Sequence, residues 1–253
     1  MSNGKFRLSQ SAVEWTKHFK LGPRAQKLFL AMVYEQDQER EGWATGGTWM
    51  ETACRGFHRP LAKFRSLGCA PKADNARFFQ RAVEELEQVP ELFEHIALDT
   101  KMSTLTWVFG LRLHGMMADM QIYALLSITD ADQISSTLDL PLLTQITLHK
   151  KKKLPEFIMF QDNPNFETES EHASPAPLDL RKTRRLLEPA LEKWAGHTGY
   201  KFILGYEQPP RMPAYHQARI RFQTSASEWK PDAFERFPPN TKIIRIGARR
   251  TTR

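Results

Sequence analysis

LPEFIMF, residues Leu154 to Phe160, is the stretch on which the reading of the architecture turns. It is a short apolar run, entered from Lys150–Lys153 and left through a loop, and that length and setting predict a strand. The loop, Asp162–Pro177, holds three prolines and several acids, a composition that does not pack into a core. Beyond it, Leu180, Leu187, Leu191 and Trp194 recur at helical spacing and predict an amphipathic helix over Leu178–Ala195. Alternation then predicts strands at Tyr200–Glu207 and Tyr215–Gln223, joined through Pro209-Pro210. A short helix at Pro231–Phe237 and a last strand at Lys242–Gly247 complete this half.

The same order is expected towards the N-terminus. Gly4–Leu8 reads as a strand, and Gly22-Pro23 opens a helix over Arg24–Gln38. Leu92–Thr100 and Leu105–Leu113 read as paired strands, Met116–Leu126 as a helix and Leu142–Leu148 as a strand. Each half is then strand–helix–strand–strand–helix–strand. The expected fold is α+β: two tandem ferredoxin-like (RRM-like) units, 1–153 and 154–253, the first carrying a basic α-helical insertion over 48–90.

Charge points to a polyanionic partner. The chain has a net charge of +7, with 36 Lys and Arg against 29 Asp and Glu over 253 residues. The excess is uneven, for residues 178–253 hold 16 bases and 7 acids, whereas 155–177 hold five acids and no base. Seven bases face the single acid Asp74 between Cys54 and Arg81. Clustered bases attract nucleic acid and gain from counterion release. No run reaches the roughly 20 apolar residues of a membrane span. The opening Met1–Phe6 has no signal-peptide core, so no membrane partner and a cytoplasmic location are expected. Two cysteines suit a reducing compartment. Cys54, His58 and Cys69 lack a fourth ligand and the usual paired spacing, so no metal and no other cofactor is expected.

Tyr215, Arg219 and Arg221 share the odd face of one strand, with Arg211 at its turn. That pattern suits base stacking and phosphate binding, while a plain solvated face is the alternative. Lys242, Arg245, Arg249 and Arg250 extend the set, as do Arg55, Arg59, Lys63, Arg65 and Arg77 in the insertion. Arg181, Arg184 and Arg185 stand near a helix N-terminus, where a bound phosphate would offset their opposition to the helix dipole. They could equally pair with acids of the 155–177 loop.

Two basic ferredoxin-like units without metal ligands resemble the RAMP superfamily of CRISPR-associated proteins, and in particular the endoribonucleases of CRISPR precursor RNA. The helical insertion is similar to the divergent type IV member. The resemblance implies metal-independent cleavage at repeat hairpins through the RNA 2′-hydroxyl. Product RNA would be retained, and other CRISPR effector subunits would be partners. In such nucleases the region around His18 lines the catalytic cleft, which makes His18 and Arg24 the catalytic candidates. A second reading competes. Arg24–Gln38, Thr48–Gly56, Asp74–Gln88 and the hairpin Leu92–Leu113 follow the winged-helix plan, and Leu178–Phe222 could close a second one. That layout resembles the two-winged-helix initiators of plasmid replication, which bind origin DNA. Against it, two helices are needed upstream of Leu178, where the strand-like Glu156–Phe160 stands.

Overall fold

The computed structural model describes residues 4–39, 43, 56–70, 76–118, 120–160, 177–208, 214–224 and 236–247. The chain is of the mixed α+β class and divides into two compact units, Met1–Leu148 and His149–Arg253.

The first unit opens with strand β1 (Lys5–Ser9) and helix α1 (Gln10–Thr16), capped by the Ser9 side chain accepting from the Ala12 amide at 3.2 Å. Helix α2 (Pro23–Gln38) starts on Pro23, whose fixed φ suits a first helical position. Strand β2 (Phe57–Pro60), α3 (Leu61–Ser66) and α4 (Ala76–Glu87) follow, then β3 (Phe93–Asp99), β4 (Thr104–Phe109), α5 (Leu111–Ala118), β5 (Tyr123–Ser127) and α6 (Asp139–His149). Among the described residues β1 pairs with β5 alone, and a separate three-stranded sheet runs β2-β4-β3. Aromatic rings tie that sheet to the helices. Phe57 stacks on Trp107 at 5.4 Å, Phe64 meets Trp107 edge-on at 5.8 Å, and Phe29 meets Phe109 at 6.2 Å. Each fully buried phenyl ring contributes about 2–3 kcal/mol of transfer free energy.

Helix, strand, helix, helix, hairpin, with the first strand beside the last, is the winged-helix arrangement. α2, β2, α3, α4 and β3–β4 supply it in order. At the wing's tip the Asp99 carboxylate accepts from the Lys101 and Met102 amides, both at 2.9 Å, and Ser103 takes a positive φ of 53°.

The second unit contains β6 (Glu156–Met159), α7 (Leu180–Thr198), β7 (Lys201–Glu207), β8 (Gln217–Gln223) and β9 (Lys242–Ile246), in one sheet ordered β6-β8-β7-β9. Phe202, Leu204, Tyr206, Ala218, Ile220 and Phe222 are all buried, and the Tyr206 hydroxyl donates to Glu188 of α7 at 3.4 Å. β6, α7 and the β7–β8 hairpin thus follow the strand, helix and hairpin order found in the first unit, again with the first strand against the last. Residues 162–176 of the expected loop lie outside the described residues, as do residues 231–235 of the helix expected over Pro231–Phe237.

The expected pair of ferredoxin-like sheets is not what the strands form. In that topology the fourth strand lies beside the first; here β9 pairs with β7. The reason lies in one close approach between distant residues. The chain leading into β9 crosses β7 at Gly205, where a Cβ would lie 2.4 Å from the Phe237 ring and 2.9 Å from Thr241. Only a residue without a side chain admits that crossing. In the first unit, 57–60 is a strand inside the expected helical insertion, held by nonlocal pairing with β4. Leu142–Leu148, expected as a strand, belongs to α6. Leu140, Leu142, Leu143 and Ile146 are buried around that helix, so no amphipathic period shows in its sequence.

Candidate nucleic-acid interface

Helix α4 buries Phe78, Phe79, Ala82, Val83 and Leu86 and exposes Arg77, Gln80, Arg81, Glu84 and Glu87. The exposed set falls at i, i+3, i+4, i+7 and i+10, one stripe of a helix. Two further guanidiniums lie on the phenyl rings of its first turn, Arg24 over Phe78 at 5.6 Å and Arg65 over Phe79 at 5.5 Å. Arg24, Arg65, Arg77 and Arg81 therefore gather around the N-terminal half of α4, while its C-terminal half presents acids.

Helix α7 has the same polarity. Its cap is Asp179, whose carboxylate accepts from the Lys182 amide at 3.0 Å, and it ends on Gly199 in the left-handed region at φ 72°. Arg181, Lys182 and Arg185 are exposed on its first turns. Arg184 is tied down, pairing with Glu188 at 2.6 Å one turn on, and that bond raises the guanidinium pKa. Cations so near a helix N-terminus each cost a few tenths of a kcal/mol, roughly 0.3–1 at most, unless an anion binds there.

The arginines of β8 behave differently. Register places Arg219, Arg221, Glu156 and Glu207 on one face of the sheet. Arg219 binds both Glu156 and Glu207, and its guanidinium is raised chiefly by the Glu207 hydrogen bond. Arg221 donates to Glu156 at 2.5 Å and to the Arg236 carbonyl at 2.7 Å, with the Phe237 ring 4.4 Å away. Two cations and two carboxylates close that face as an ion lattice. Tyr215 is only partly exposed, and its carbonyl accepts from the Leu178 amide at 2.7 Å.

The other expected residues scatter. Lys242 and Arg245 are exposed on β9, and register sets them on opposite faces, opposite Tyr206 and Ile203. Arg59 pairs with Glu35 at 3.2 Å and Glu39 at 2.5 Å, and Lys63 with Glu35 at 3.4 Å. Arg55, Arg211, Arg249 and Arg250 lie outside the described residues. His18 is exposed and lines a cleft of about 450 Å³ with Trp15, Phe19, Lys20, Glu85 and Arg112. Arg24 does not line that cleft, so the two catalytic candidates do not share it. His58 bonds the Thr106 hydroxyl at 2.9 Å. Cys69 is buried, which pushes its thiol up to about 12. Among the described residues no group of three His, Cys, Asp or Glu could hold a metal, and no helix is long and apolar enough to cross a membrane. Gln80 was missed by sequence reasoning, although the 77, 80, 81, 84 spacing could have flagged it.

The chain thus has a winged-helix first unit and, in the second, the same arrangement of first strand, helix and hairpin, each with an exposed helix whose N-terminal half is basic. In fold it is similar to the solved Pi initiator protein in complex with iteron DNA. The TM-score is 0.58 at 12% identity, over 88% of this chain and 98% of that one. No protein-family model and no curated protein matches the chain. This likeness corrects the expectation of CRISPR RNA processing with an RNA repeat hairpin as partner. That expectation rested on tandem ferredoxin-like order, whereas the solved protein of similar fold is an initiator held on DNA.

Proposed function

We propose that the chain binds duplex DNA sequence-specifically, as an initiator of replication acting on an origin, with α4 and α7 each entering a major groove N-terminus first. The observation that carries this reading is the shared polarity of the two helices. Arg77 and Arg81, and Arg181, Lys182 and Arg185, lead; Glu84 and Glu87 trail on α4, and Glu188 and Glu192, beside the single base Lys193, trail on α7. A helix of that polarity is attracted into a groove between phosphates by its leading half and kept from lying flat on the backbone by its trailing half. Paired arginines on β8 argue against an open-sheet RNA platform. A cytoplasmic setting follows from such a substrate.

The test is competition binding. Fragments of the DNA that carries the gene are offered together with RNA hairpins of equal length at physiological salt. Selective retention of one duplex fragment, with a log–log salt slope of about −0.9 per neutralised phosphate, is the expected result. Preference for the RNA hairpin over every duplex fragment would overturn the proposal.

A further inference from the structure

We infer that α4 reads an adenine next to guanines, with Gln80 the residue that selects the adenine; this rests on the DNA-binding proposal above. Five exposed residues make up the stripe, Arg77, Gln80, Arg81, Glu84 and Glu87, and their chemistry is not that of a phosphate grip. Arg77 and Arg81 can each bond O6 and N7 of a guanine bidentately. Gln80 carries no charge for a phosphate, but its amide has a donor and an acceptor that match N6 and N7 of adenine. Glu84 lies between the directions of Arg77 and Gln80 on the helical wheel and is exposed. A carboxylate in the middle of the stripe is repelled by phosphates on either side, so the stripe faces the groove floor and its base edges.

Spacing supports the same assignment. Arg77 and Arg81 stand about 6 Å apart along the helix axis at 1.5 Å per residue, close to two base-pair steps of about 3.4 Å. Arg77, Gln80 and Arg81 can therefore address three consecutive base pairs, two of them carrying guanine and one adenine. Helix α7 differs: its exposed leading residues are Arg181, Lys182 and Arg185, with no amide side chain among them. The adenine requirement therefore belongs to α4 and not to α7.

The experiment is selection from a library of randomised duplexes with the full chain and with Gln80→Ala, each confirmed folded by thermal melting. Wild type should enrich a motif containing adenine adjacent to guanine. Gln80→Ala should keep the guanines and lose the adenine. Replacing that adenine with 7-deazaadenine should weaken wild type about ten-fold and leave Gln80→Ala unchanged. Enrichment of a motif without adenine, or an adenine preference that survives Gln80→Ala, overturns this inference while the DNA-binding proposal stands. Enrichment of no duplex at all overturns both.

Discussion

Arginines on α7 and arginines on β8 have opposite fates in one unit. Arg181 and Arg185 stand exposed on the first turns of a helix, against the positive end of its dipole. Arg219 and Arg221 sit on a sheet face where register brings Glu156 opposite Arg221 and Glu207 diagonal to Arg219, and their charge is cancelled there. A cluster of bases in a sequence is thus two things. It is an open positive surface where the fold leaves it exposed to solvent, and part of the structure where the fold sets carboxylates across from it.

Removing Glu156 strikes at the ion lattice hardest, because one carboxylate serves both arginines. Glu156→Ala removes one carboxylate from each arginine, leaving Arg219 with Glu207 and Arg221 with the Arg236 carbonyl, and should cost the second unit about 1.5–3 kcal/mol in urea unfolding. A loss below about 1 kcal/mol would mean the lattice behaves as a solvated surface, and the contrast with α7 would collapse.

The first unit has a different weak point. His114 is buried, its Nε2 lies 3.3 Å from Gln36 Nε2, and burial lowers its pKa from 6.5 to about 4. Between those values the unfolded chain takes up a proton that the folded unit refuses. Stability is therefore whole above pH 6.5 and falls as pH drops to about 4, by up to ~3 kcal/mol. Unfolding followed from pH 7.5 to 4 should show this slope, and His114→Gln should flatten it. An unaltered slope in the variant would assign it to other groups.

On the interface itself, Arg181→Ala with Arg185→Ala should weaken duplex binding about ten-fold per residue, roughly 1.4 kcal/mol each. The salt slope should become shallower by about 0.9 for each phosphate that the variant no longer neutralises. Arg219→Ala should leave that slope untouched although it destabilises the unit. A salt slope that responds equally to both sets would erase the distinction. The smallest effect belongs to the helix cap. Asp179→Ala removes the acceptor for the Lys182 amide and should lower stability by about 1 kcal/mol, read as a modest fall in melting temperature.

The sequence alone determined the α+β class, the helices at Arg24–Gln38 and Leu178–Ala195, and the hairpins, because amphipathic period and alternation are local signals. The face of β8 was legible in the same way, since Tyr215, Gln217, Arg219 and Arg221 alternate with Ala218, Ile220 and Phe222 in the chain itself. Tertiary structure alone decided the rest. Strand Phe57–Pro60 exists because Trp107 and its neighbours lie beside it, and α6 is a helix although apolar residues around it hide its period. β6 is compatible with a winged helix because the plan has a first strand, which pairs with the last strand of the hairpin. β9 joins β7 rather than β6 because Phe237 fits over Gly205. Pairing partners, whether strand for strand or carboxylate for guanidinium, are set by residues tens of positions away, and no local pattern reports them.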